Sequence, residues 1–211
     1  YLLKGKEQHH KFDKASNKLA LSFFDQAINA DPDNGKAYAW KACTLGQSMA
    51  RGFADQPNTQ VFLEAKINVE KAQSINESDF ECHRLLCAVY LFTEQFELSL
   101  EHGKKSFELN PNDPRILSGY GDILVRLGQK ELGIDCFQKA LKLDPIPMGQ
   151  SNSDNRLRDL AFGYFCASLY EECTATVDRI TNLADRDLLI RNYSGRQTGS
   201  SGELPKLDKQ V

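Results

Sequence analysis

Two stretches decide how this chain is read: Ser106-Phe-Glu-Leu-Asn-Pro111 and Ala140-Leu-Lys-Leu-Asp-Pro145, whose prolines stand 34 residues apart. Ala27-Ile-Asn-Ala-Asp-Pro32 closes in the same way, and Ala72-Gln-Ser-Ile-Asn-Glu77 is a degenerate copy with Glu77 at the proline position. Glu77 to Pro111 is again 34 residues, whereas Pro32 to Glu77 is 45. Periods of this length mark arrays of small supersecondary units.

Upstream of each ending a small residue is followed four positions later by a larger one or a glycine, and three after that by a third, usually small. The sets are Ala20, Phe24, Ala27; Ala65, Val69, Ala72; Ser99, Gly103, Ser106; Gly133, Phe137, Ala140; and, more weakly, Cys173, Val177, Ile180. A step of four then three keeps side chains on one stripe of a 3.6-residue helix. Small side chains admit a neighbouring helix and the large one fills the gap. The first helix of each unit carries its own stripe: Leu86, Cys87 and Tyr90; Tyr120, Gly121 and Leu124; Leu160, Ala161 and Tyr164. The closing proline cannot continue a helix, so it sets the turn into the next unit.

A 34-residue helix–turn–helix unit with these positions, closing in Asp-Pro or Asn-Pro, resembles the tetratricopeptide repeat over about residues 10–183. The resemblance implies an all-α fold, a right-handed superhelical solenoid of stacked helix–turn–helix repeats. The units fall at about 1–33, 34–78, 80–113, 114–147 and 154–187 within an array ending near residue 193, followed by a flexible tail over 194–211. The first unit departs from the pattern, because Gln8 and Lys11 stand where its first helix should be apolar. A narrower resemblance joins Tyr1-Leu-Leu-Lys-Gly5, Phe23-Phe-Asp-Gln-Ala27, Ala37-Tyr38-Ala39 and Ala88-Val-Tyr-Leu-Phe92 to the repeat arrays that follow bacterial nucleotide cyclase or winged-helix regulator domains.

The eleven extra residues of the second unit fall in Gly46–Gln60, rich in Gly, Pro and Asn, and read as an enlarged loop, either tolerated or used for binding. Ile146–Asn155 is a second turn-rich insertion. The tail, Ser194-Gly-Arg-Gln-Thr-Gly-Ser-Ser-Gly202 and then Glu203-Leu-Pro-Lys-Leu-Asp-Lys-Gln-Val211, has no apolar stripe and reads as a linker carrying a short peptide, or as a remnant.

A net charge of −3 points to neither nucleic acid nor an anionic membrane as partner. No apolar run approaches the ~20 residues of a membrane span. The chain starts at Tyr1 and reads as a fragment without a visible secretory leader, and the cytoplasm is the expected compartment. Six cysteines without a C-x-x-C pair fit reduced thiols better than a zinc site. His9 and His10 are adjacent, not four apart, so no metal or cofactor is expected; no phosphate-binding or nucleophile-elbow string occurs.

The expected function is therefore non-enzymatic: a scaffold whose concave groove takes a peptide or partner segment, which the cyclase-type resemblance would make the arm of a bacterial signalling protein. The tetratricopeptide resemblance implies as groove positions His9, Phe12, Arg84, Leu91, Arg115, Asp122, Arg126, Arg158, Phe162 and Phe165. The arginines suit an acidic partner, or else pair with nearby carboxylates. Arg126→Glu with Arg158→Glu is expected to abolish acidic capture at an unchanged thermal midpoint. Ala88 and Asp122 stand where a terminal-carboxylate clamp would want Asn. The alternatives are a self-associating array with uncapped ends, which could form a homo-oligomer, and an enzyme using a cysteine or the 46–60 loop.

Overall fold

The computed structural model describes residues 1–144, 150–181 and 183–194, and these form eleven helices with no strand among them. The helices are α1 (Leu2–His9), α2 (Lys14–Ala30), α3 (Gly35–Ala50), α4 (Asn58–Ile75), α5 (Phe80–Phe92), α6 (Phe96–Leu109), α7 (Pro114–Arg126), α8 (Lys130–Leu143), α9 (Gln150–Cys166), α10 (Tyr170–Val177) and α11 (Leu183–Ser194). They divide into two compact units, one ending at Gln95 and the other starting at Phe96.

In the first unit α1 packs on α2, α2 on α3, α3 on α4 and α4 on α5, while α1, α3 and α5 touch as a layer of first helices. In the second, α6 to α11 pack in chain order and α7 also meets α9. All fifteen small–large–small positions are buried, among them Ala20 and Phe24 at 0% exposure and Ala27 at 6%. The fifth set closes beyond its helix, since α10 ends at Val177 and Ile180 packs from the turn.

The turns are built alike. One residue in the left-handed region follows α1, α3, α5, α7 and α9: Phe12, Gly52, Glu94, Gly128 and Ser168, with φ of 57°, 63°, 60°, 84° and 62°. The next amide then bonds back over the helix end, as in Gln95 N to Tyr90 O, Gln129 N to Leu124 O and Leu169 N to Tyr164 O, each at 2.9 Å. This closes the helix in a Schellman-type cap and reverses the chain. Asp13, Asn34, Asp79 and Asp113 cap α2, α3, α5 and α7 through side-chain oxygens. Glycine reaches φ > 0 without a Cβ clash, whereas for Ser168 that conformation costs about 1 kcal/mol. Ser168→Gly should therefore raise stability by roughly 0.5–1 kcal/mol, read from the denaturation midpoint. A lowered midpoint would show that its side chain is needed.

Three expectations are corrected. The first helix of the first unit lies one turn earlier than the register that set Gln8 and Lys11 at its apolar positions. Gly5 lies where a Cβ would run into the Phe24 ring, the place Gly121 takes against Phe137 in α7–α8. The cause is an α2 that begins at Lys14 and so is one turn longer at its start than α8. The enlarged loop is narrower than Gly46–Gln60: α3 runs to Ala50 and α4 begins at Asn58, because the inserted residues mostly lengthen helices. The fifth unit does not close at 187, since that residue lies inside α11. Of the second insertion, residues 150–155 belong to α9; residues 145–149, and the tail from 195, lie outside the described residues.

Candidate interaction face

Six of the ten expected groove residues fall in the second unit, on α7 and α9, and four in the first. Arg126, at the end of α7, donates from Nε to Asp122 at 2.6 Å and lies over the Phe162 ring at 5.0 Å. Both contacts follow from spacing: Asp122 and Arg126 are one turn apart, and α9 packs beside α7. A guanidinium held by a carboxylate on one side and an aromatic face on the other is fixed in place before any guest arrives. Arg158 is exposed on α9, and Phe162 and Phe165 are half-buried. The Phe165 ring stacks on Tyr193 of α11 at 4.4 Å. Arg115 pairs with Asp113 at 2.6 Å at the N-terminus of α7.

Sequence reasoning missed three members of this face. Arg156 donates to Ser118 Oγ at 2.9 Å and lies 3.8 Å from Asp144 and 4.0 Å from Asp159. Its Nε is buried without a hydrogen-bond partner. Asp159, 36% exposed, is pushed up to about 6 by burial, against the pull of Arg156 and Ser118. Burial also raises Asp122, with Arg126 opposing. Tyr193 was missed because α11 lay beyond the repeat pattern. Asp159 lies one turn before Phe162 on the same helical face, but its sequence neighbours do not mark it, since its contact with Ser118 comes from α7.

In the first unit the expected groove positions are differently placed. His9 is buried at 6% exposure rather than lining a groove. The Thr44 hydroxyl donates to the Trp40 carbonyl, so His9 Nδ1 donates to Thr44 Oγ1 at 2.9 Å. Asn17 extends this network to Gln47 Oε1 at 2.8 Å and Ser48 donates to Asn17 at 2.6 Å. Trp40 covers His9 at a ring distance of 5.4 Å. Phe12 is not on a first helix but in the turn after α1, under Arg51 at 5.1 Å. Arg84 pairs with Glu81 at 2.9 Å and reaches Cys43 Sγ at 3.5 Å. Leu91 is half-buried.

The Arg51–Pro57 linker walls a cavity of about 220 Å³ between α2, α3 and α4. Lys41 there is bound at 2.8 Å to both Asp25 and Glu64; Asp55 pairs with Lys14 and Lys18, so the charges near it are already matched. Burial pushes Cys82 up to about 12 and Cys166 and Cys173 up to about 11, which disfavours the thiolate a nucleophile needs. No helix among the described residues is long and apolar enough to cross a membrane.

Residues 114–147, which include α7 and α8, match the family model described as tetratricopeptide repeat. No curated protein matches the chain. Among solved structures, the chain is similar to TTC0263, a thermophilic TPR protein of Thermus thermophilus, at 18% identity and a TM-score of 0.63, over 92% of this chain and 95% of that one. YrrB, a TPR protein with an unusual peptide-binding site, matches at 19% identity and a TM-score of 0.54, over 86% and 84%. The APC/C hetero-tetramer Cut9–Hcn1 matches at 16% identity and a TM-score of 0.69, over 93% of this chain and 40% of that one.

Proposed function

We propose that the chain, whose fold is similar to that of solved tetratricopeptide-repeat proteins and whose residues 114–147 match that family's model, is a non-catalytic scaffold whose α7–α9 face takes an acidic segment of another polypeptide. One observation carries this reading: Arg126 is fixed between Asp122 and Phe162, with Arg158 and the Phe165–Tyr193 stack on neighbouring turns. Rigid aromatic and arginine side chains lose little entropy on binding and dominate interface energies. The likeness to YrrB, itself a protein with a peptide-binding site, agrees with a peptide guest. The same proposal places the protein in the cytoplasm, as the arm of a bacterial signalling protein.

Arg158→Glu with Arg126→Gln should weaken binding of a labelled aspartate-rich peptide by about 10–100-fold, measured by fluorescence anisotropy. Unchanged affinity at an intact helical spectrum rejects this face. Arg126→Glu is the poorer test, and its midpoint should fall: Arg126 is only 11% exposed, and a glutamate there would stand against Asp122.

Self-association is favoured by a different observation. Leu188 and Ile190 of α11 and Leu169 and Tyr170 at the start of α10 are exposed. A monomer at high concentration in sedimentation removes that reading.

A further inference from the structure

We propose that Cys43 is a modification site: a thiol activated by His9 and Arg84 that exchanges with a low-molecular-weight disulfide and carries the resulting mixed disulfide. This inference stands independently of the α7–α9 reading, since all of its residues belong to the first unit.

Three helices bring the cluster together. The layer of α1, α3 and α5 supplies one residue from each helix: His9, Cys43 and Arg84. Cys43 Sγ lies 4.0 Å from His9 Nε2 and accepts from Arg84 Nη2 at 3.5 Å. The other side of His9 sets its tautomer. Thr44 Oγ1 donates its proton to the Trp40 carbonyl, so it accepts from His9 Nδ1 at 2.9 Å. In the neutral ring Nε2 then carries the lone pair, and it faces a thiol that can donate to it. At 4.0 Å this contact is long, as acid–base pairs often are before a reactant draws them together. The imidazole is held in place: it is 6% exposed, with the Trp40 and His10 rings against it at 5.4 and 5.3 Å.

Arg84 supplies the charge. Its Nη2 has two protons, one for Glu81 Oε1 at 2.9 Å and one for Cys43 Sγ. Its Nε is buried without a hydrogen-bond partner. Glu81 offsets part of the guanidinium charge and fixes its direction, and the N–H at Sγ favours thiolate over thiol. A metal ion at the sulfur would meet the same guanidinium, so the cluster suits thiol chemistry better than a cation. Cys43 is half-buried, within reach of a small reagent; Cys82, Cys87 and Cys173 are buried, and burial raises the half-buried Cys136 and Cys166.

The exchange balances with the disulfide as its one co-reactant. Cys43 gives its proton to His9 Nε2, and the thiolate attacks one sulfur of the disulfide. A bond from Cys43 Sγ forms as the reagent's own S–S bond breaks. The second half leaves with the electron pair as a thiolate and takes the proton from the His9 imidazolium. Cys43 is oxidised and half of the reagent is reduced; an added thiol reverses the step.

The test reacts the full chain at neutral pH with dithiobis(nitrobenzoate), an anionic aromatic disulfide, and separately with iodoacetamide, which is neutral. Each is run on the folded chain and in urea, and the modified cysteine is located by peptide mass. Folded Cys43 should react first with both reagents, about tenfold faster than the same thiol in the unfolded chain. An ordinary thiol, with a pKa of about 8.5, is only a few per cent ionised at neutral pH, which leaves room for that gain. His9→Gln should remove most of it while the helical spectrum stays. Folded Cys43 no faster than unfolded Cys43 overturns the proposal, as does a first-reacting thiol elsewhere. A gain with the disulfide alone would mean attraction of an anion by Arg84 rather than an activated thiol, and overturns it too. So does an unchanged rate in folded His9→Gln; the folded-against-unfolded comparison is made on the parent and decides even if that variant fails to fold.

Discussion

Replacing Phe137 by alanine should cost about 3–5 kcal/mol of stability, the range for removing a buried aromatic ring from a core that cannot collapse around it. The ring is 1% exposed and fills the space in front of two glycines, Gly121 of α7 and Gly163 of α9, while packing with Val125, Ile134 and Leu160. It thus holds three helices, and its loss removes the filler between consecutive hairpins. In a solenoid, where each unit is stable only against its neighbours, such damage spreads to the next interface. Urea denaturation followed by far-UV circular dichroism would show the change. Trp40, the chain's only tryptophan, lies in the first unit and does not report on this site. A loss below about 1 kcal/mol would mean that the hairpins settle onto the glycines once the ring is gone, and that close packing is not what fixes their spacing.

The reason this core was legible from the sequence is that its constraint is steric and periodic. Ala20, Ala72, Ala140, Ser99 and Ser106 are small because a helix passes close by, and the step of four and three is the helix's own geometry. The first unit was misread for an equally local cause. One extra turn at the start of α2 shifts Gly5 into contact with Phe24, and no proline or glycine in the sequence announces it. The α7–α9 face was legible as a set of positions but not as a set of partners. Spacing places Arg126 one turn from Asp122, and that pair forms. It cannot say that Arg84 turns to Glu81 and Cys43, or that His9 faces inward to Thr44, because those depend on rotamers and on helices distant in sequence. Asp159 escaped because a carboxylate next to Arg158 reads as ordinary surface charge; its burial against Ser118 exists only once α7 and α9 are side by side.

Gly133→Leu is expected to cost more than about 3 kcal/mol, and Gly133→Ala about 1–2 kcal/mol despite the better helix propensity of alanine. Two effects oppose each other at this buried position near the start of α8. Alanine favours a helix over glycine by about 1 kcal/mol. Against that, a Cβ on Gly133 would lie 2.5 Å from Val125 Cγ2, 2.7 Å from the Gly121 carbonyl oxygen and 3.2 Å from the Val125 amide nitrogen. The valine methyl can rotate away, but the other two atoms are backbone and move only if α8 withdraws from α7. Separation would also loosen Phe137 and Ala140, which sit one and two turns further along the same stripe. A second substitution distinguishes the causes. Val125→Ala removes the nearest atom and leaves the carbonyl, so Gly133→Ala in that background should recover only part of its loss by urea denaturation. Full recovery would place the obstruction in the valine side chain alone and would remove the claim that backbone approach between α7 and α8 requires glycine here.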